Sequence, residues 1–250
     1  MATKIAFPTD EHFPFQDDQA RNVALQIVQD FNPDILPAGS DGLDFYKLSR
    51  FDRDPKRMEA YSMQEEIRQW QIAQLEWKTA APNARRPYII GNHEERYDKA
   101  IWKLEAFAEL TSLNLATVLG LKVLGIEPEI LDEIDLGPLV IRHGQVVRSH
   151  SGSSARGEVE KQRHQVSTMT GHTHRGGMYM TTARGSVVYG LECFCLCKLD
   201  PWYGKGPYDW QQGVTLATIH NDKSLQFEPI PFTRVSGKVV AHWRDKQYQS

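Results

Sequence analysis

Cysteine is scarce in this chain. Only Cys193, Cys195 and Cys197 occur among 250 residues, all within the run ECFCLC. Alternate residues share one face of a strand, and neighbours on such a face rarely meet disulfide geometry, so a disulfide framework is excluded. A thiolate metal site would have to use the same three residues. Three small apolar side chains on a buried strand is the preferred reading. Long apolar runs are missing as well, and no stretch approaches the roughly 18 residues that a membrane span needs. The opening MATKIAFPTDEHF lacks the long apolar core of a signal peptide, so a cytoplasmic protein is expected. Repeats, low-complexity tracts and Pro/Gly-rich linkers are also absent, which points to a single domain over 1–250. With 40% hydrophobic residues and a net charge of −3, the chain can bury a substantial core.

Periodicity predicts strands alternating with helices in the first half. Strands are expected over 4–10, 34–41 and 85–92. Helices are expected over 16–32, 56–80 and 95–118, with Val23, Ile27 and Phe31 on one face of the first and Ile101, Leu104 and Ala108 on one face of the last. Short β-like runs follow at 138–144, 167–174, 178–190 and 191–197. A hairpin over 213–230 turns at Asn221-Asp222. This order predicts an α/β protein of two packed sheets with helices outside.

Polar residues gather just after these strands. Asp10 and His12 follow the first, Asp41 and Asp44 the second, and Gly91-Asn92-His93-Glu94 the third. His143-Gly144 and Gly171-His172-Thr173-His174 follow two later ones. Residues at successive strand ends converge on one crevice in open α/β sheets. Carboxylate, imidazole and one amide oxygen suit divalent Mn, Fe, Zn, Co or Ni, and without a thiolate the set is unlike a structural zinc knuckle. His150, His164, His220 and His242 stand outside these fragments and are assigned surface or structural roles.

In this order the five fragments resemble the calcineurin-like metallophosphoesterase superfamily over residues 10–174, and SRFDRDP and GHTHR look most like its bacterial and phage-encoded members. The resemblance implies a four-layer α/β/β/α sandwich of two mixed β-sheets flanked by helices. It implies two divalent ions, Mn first among them, and hydrolysis by a water held between them. Asp10, His12 and His174 would hold one ion, and Asn92, His143 and His172 the other. One aspartate of PAGSDGLDFY would bridge both. His93 would protonate the leaving oxygen, and Glu94 would lie behind it, orienting that histidine.

The family pattern has glycine directly before the bridging aspartate, where this chain has Ser40. Either Gly39 is that glycine and Ser40 takes the metal position, or Asp41 is the ligand and the glycine is lost. Asp41 keeps the negative charge and the spacing to Asp44, which then supports the loop. Protein phosphatases of the superfamily carry an arginine after the second motif; here Phe45-Tyr46 stand there. The expected substrate is therefore a phosphodiester, in a nucleotide or nucleic acid. A phosphomonoesterase and a non-catalytic scaffold are the alternatives. Phe45, Tyr46, Trp202, Tyr203 and Trp210 are candidate stacking groups, set against ordinary core or edge positions. Residues 142–184 hold seven Arg/Lys against two Glu, and Arg175 is the best single candidate for a phosphate contact.

Overall fold

The computed structural model describes residues 1–50, 62–162, 166–183, 185–200 and 208–250. Strand β1 (Thr3–Phe7) leads to helix α1 (Asp18–Phe31), started by the Asp17 carboxylate, which accepts the Gln19 and Ala20 N–H groups. Next come β2 (Ala38–Gly39), α2 (Met63–Ala80) and β3 (Tyr88–Ile89). Three short helices follow: α3 (Glu95–Trp102), α4 (Glu105–Ala108) and α5 (Leu115–Leu119). Strands β4 (Ile130–Leu131), β5 (Glu133–Asp135) and β6 (Leu139–Arg142) precede α6 (Ser153–Lys161). Then come β7 (Ser167–Thr170), β8 (Gly176–Ala183), β9 (Ser186–Cys193), β10 (Gly213–Ile219) and β11 (Leu225–Pro231). The chain ends in β12 (Thr233–Val235), β13 (Lys238–Trp243) and β14 (Lys246–Gln249).

β1 pairs antiparallel with β10, and β10 with β11. Parallel bridges from Ile5 to Ile35 and from Ile35 to Arg85 carry this sheet towards the parallel set β2–β3–β4. A second sheet has the order β5-β6-β7-β9-β8, with β6, β7 and β9 mutually parallel. Period-2 alternation decides what each face buries. Ile5 and Phe7 join Ile89, Ile141, Met169, Leu191 and Cys193 in a core shared by both sheets. Ala6 points the other way, into a cluster with Val23, Ala24, Ile27 and Phe31 of α1 and Trp77 of α2. Trp70 of α2 packs with Leu43, Tyr88, Leu115 and Leu119. Fully burying side chains of this size contributes about 1.5–3 kcal/mol each. α6 lies on the second sheet, with Val159 against Ala183 and Val188.

Several expected elements change. Helix α2 begins at Met63, capped by the Ser62 hydroxyl; residues 56–61 of the expected helix lie outside the described residues. The helix expected over 95–118 is broken into α3, α4 and α5, and Leu104 and Ala108 are exposed rather than seated on a common face. Asn114 takes part in the break, because its side chain accepts the Ala116 N–H and starts a new helix. The run 178–190 is two strands, β8 and β9, reversing beside Gly185 at φ +81°. The strand expected over ECFCLC stops at Cys193, because Phe194 adopts φ +65°. The ring of Phe194 lies where a Cβ on Gly176 would come within 1.9 Å of it, so the turn depends on that glycine. The three cysteines are nonetheless buried, and burial pushes the Cys193 thiol up to about 12. The 213–230 hairpin is β10–β11, while the sheet β12–β13–β14 has no counterpart in the sequence reading. No helix among the described residues is long and apolar enough to cross a membrane.

Candidate metal centre

The loops after β1, β2, β3, β6 and β7 meet at one edge of the two sheets. Backbone bonds lock them together. Asp10 N–H donates to the Ser40 carbonyl at 3.0 Å, His12 N–H to that of Asp41 at 3.0 Å, and Ser40 N–H to that of Ile89 at 2.7 Å. The loops are also strained. Asp10, His12, Asp41, His172 and His174 all have left-handed backbones, with φ of 54°, 50°, 58°, 70° and 57°. Left-handed non-glycine residues cost roughly 1–3 kcal/mol each and cluster at functional sites. Five of the seven residues singled out as metal ligands carry this strain, so surrounding contacts must hold it in place. Two motif glycines allow the close approach. A Cβ on Gly91 would lie 2.1 Å from Asp41 Oδ1, and one on Gly171 would lie 2.3 Å from Asp10 Oδ2.

The side chains form two adjoining clusters. In the first, His12 Nε2 is 2.9 Å from His174 Nε2, and Asp10 Oδ1 lies 3.3 Å from His174 and 3.6 Å from His12. In the second, His143 Nε2 is 2.9 Å from Asn92 Oδ1 and 3.1 Å from His172 Nδ1. Asp41 Oδ2 belongs to both, at 3.2 Å from His143 Nε2 and 3.8 Å from His12 Nε2. It is Asp41, not Ser40, whose side chain stands between them.

The donor set fits divalent cations. His12 Nδ1 faces the Asp44 carboxylate at 3.2 Å, and His174 Nδ1 faces the Cys197 sulfur at 3.7 Å. With those nitrogens donating, the two Nε2 atoms face each other, an arrangement that either a proton on His12 or a shared divalent cation satisfies. Ligands about 2.1 Å from one ion stand about 3.0 Å apart along an octahedral edge, close to the spacings within both clusters.

Ser40 has a definite task here. Its hydroxyl lies 3.0 Å from His143 Nδ1 and 2.8 Å from the Thr9 hydroxyl, which donates to Asp10 Oδ2 at 2.9 Å. The chain His143–Ser40–Thr9–Asp10 ties an imidazole of one cluster to a carboxylate of the other. It also leaves His143 Nε2 facing the centre.

Asp44 supports the histidines, as its carboxylate takes Nδ1 of both His12 and His93 at 3.2 Å. Glu94 does something different from the expected orienting of His93. Its carboxylate accepts the N–H groups of Asp41, Gly91 and Leu43 and so joins the second and third loops. Arg96, which the sequence reading passed over, donates to His93 Nε2 at 2.9 Å and to the Asp44 carbonyl at 2.8 Å. The signal was the His-x-x-Arg spacing, which brings two side chains together at the start of a helix.

Electrostatics follow from burial of mixed charge. Burial disfavours ionised Asp10 and Asp44, but hydrogen bonds from His12 to both, from His174 to Asp10 and from His93 to Asp44, outweigh it and hold both well below the carboxylate range. Burial works against charged His143 too, yet Asp41 drives it up to about 9. His172 goes down to about 4, through burial and the neighbouring His143 charge. Glu94 rises to about 7, from burial and the Asp41 charge. Protons on His12 and His143 thus offset the aspartates, and cations taking their place would release them.

Other residues singled out in the sequence lie apart. Arg175 donates to the Arg148 carbonyl at 2.6 Å and pairs with Asp209 at 3.6 Å. Phe45 and Tyr46 are buried, so they take core positions rather than stacking ones. Trp210 packs edge-on against His174, with ring centroids 4.3 Å apart. His150 and His220 are exposed, and His242 lies on β13. Trp202, Tyr203, Arg163, His164 and Arg184 lie outside the described residues. No protein-family model matches the chain, and no curated protein matches it.

Proposed function

We propose that this chain is a dinuclear metal-dependent phosphoesterase of the calcineurin-like type, a phosphodiesterase acting on nucleotides or nucleic acid. The observation that carries the reading is the single carboxylate oxygen, Asp41 Oδ2, shared by two imidazole clusters at 3.2 and 3.8 Å. The order of layers supports it: α1 and α2, then the two sheets, then α6, read as a four-layer sandwich. In this reading Asp10, His12 and His174 would hold one ion, Asn92, His143 and His172 the other, and Asp41 would serve both. Mn²⁺ is the first choice for this oxygen and nitrogen set, with Fe, Zn, Co and Ni as the other candidates. Divalent ions held there supply charge neutralisation at phosphorus and acidify a water near neutral pH.

The protein's own groups do the rest. His93 is only partly buried, its side chain 17% exposed, and it is steadied at Nδ1 by the Asp44 carbonyl at 3.1 Å. Its Nε2 is the atom from which a proton would pass to the leaving oxygen. Arg96 now faces that nitrogen as a donor, so His93 accepts there. An anionic substrate would draw Arg96 onto its phosphate and free Nε2 to take a proton from solvent, which His93 would then pass to the leaving oxygen.

The Mn²⁺-loaded chain is expected to hydrolyse an aryl phosphodiester faster than an aryl monoester, to lose this activity in EDTA and to regain it with Mn²⁺. The absence of EDTA-sensitive turnover on both esters would overturn the reading. Ser40→Ala removes the hydroxyl beside His143 and interrupts the link to Asp10. Metal affinity measured by calorimetry should fall by about 10–100-fold with the melting temperature of the metal-free protein little changed. Unaltered affinity would mean that the Ser40 contact does not orient His143.

A further inference from the structure

Two cavities open beside Asn92, and they differ in charge. The smaller, about 280 Å³, is bordered by Glu95, Asp132, Glu133 and Glu158 against Arg142 and Lys161. The larger, about 620 Å³, is bordered by Arg50, Arg96, Lys99 and Lys103, with no carboxylate among the described residues of its lining. Its volume falls within the roughly 300–1,000 Å³ of ligand clefts. Lys103 has no ion-pair partner among the described residues, whereas Lys99 is paired with Glu95. The same cavity is lined by Trp102, 64% exposed at the end of α3. An indole left in water beside cations is a poor choice for a protein surface unless something flat and anionic covers it.

We propose that this cavity binds single-stranded nucleic acid running away from the centre at Asn92, with an unpaired base on Trp102 and a backbone phosphate on Lys103. Coulomb's law decides between the cavities. A polyanion leaving Asn92 meets mainly cations in the lining of the larger cavity and net negative charge in that of the smaller. The indole decides between strands, since it can stack only on a base without a partner. Arg96 connects the cavity to the centre, because the same guanidinium lines one and touches His93 in the other. The assignment deepens the phosphodiesterase reading and rests on it for the direction of the strand.

The test measures binding apart from catalysis. A short fluorescein-labelled oligothymidylate is titrated with the full chain in EDTA and followed by anisotropy, for wild type, Trp102→Ala, Lys103→Ala and Lys161→Ala. Trp102→Ala should weaken binding by about tenfold or more. Lys103→Ala should weaken it and lower the slope of log K against log salt by about 0.7. Lys161→Ala, in the acidic cavity, should bind as wild type does. Circular dichroism and melting temperature check that each variant is folded. The proposal is overturned if wild type does not bind the strand, if the Trp102 and Lys103 variants bind it unchanged, or if Lys161→Ala loses as much as Lys103→Ala. Wild-type turnover of an aryl diester with Mn²⁺ reports the centre separately. Turnover with unchanged binding in the variants removes the cleft and keeps the phosphodiesterase. Weakened binding in the variants without wild-type turnover keeps the cleft and removes the phosphodiesterase.

Discussion

Asp41→Asn is expected to lose about 10³-fold or more of the proposed phosphodiester hydrolysis, since several kcal/mol of charge stabilisation at phosphorus would depend on the ions it would help hold. The substitution is nearly isosteric. The introduced amide can still accept the His93 N–H, which Asp41 Oδ1 takes at 2.8 Å, and the backbone N–H at this position can still donate to Glu94. The loop is therefore retained while the negative charge at Oδ2 disappears. That oxygen faces His143, His12 and His93 together, at 3.2, 3.8 and 3.8 Å. Calorimetry should show Mn²⁺ affinity falling at both positions, with turnover of an aryl diester falling in parallel. Wild-type turnover in a folded Asp41→Asn protein would end the assignment of this oxygen as the shared ligand.

His93→Ala is expected to behave differently. It should lower kcat by about 10²–10⁴-fold, the usual range for a lost general acid, while metal affinity stays close to wild type. The imidazole lies beside both clusters without completing either one. Its Nδ1 is held by Asp44, and its Nε2 points to Arg96. A decisive comparison varies the leaving group. A poor leaving group such as an alkoxide needs the proton more than a nitrophenolate does, so the loss should be larger for the alkyl ester. An equal loss on both, or a loss of metal, would assign His93 to holding the centre rather than to proton transfer.

Much of this site was legible because each fragment is local. Asp10 with His12, Asn92 with His93, and His172 with His174 each sit on one loop, so chain spacing alone keeps them together. The strands were legible through their apolar runs, although β2 and β3 are only two residues each. The long helix over 95–118 was not legible as broken, since its apolar spacing continues where the backbone does not. The short and mostly polar strands β12 (TRV) and β14 (KQYQ) hid the sheet β12–β13–β14, whose turns lie at Ser236-Gly237 and Arg244-Asp245.

By itself the sequence determined the chemistry available: which carboxylates, imidazoles and amide stand at strand ends, and in what order. Tertiary structure alone decided how they are used. His12 meets His174 across a separation of 162 residues, and Ser40 meets His143 across 103. Pattern and propensity act between neighbours in the chain, whereas these contacts follow from how two sheets stack and which loops then touch. The serine that breaks the expected motif is legible as a departure in the sequence. Only the packing brings its hydroxyl to His143.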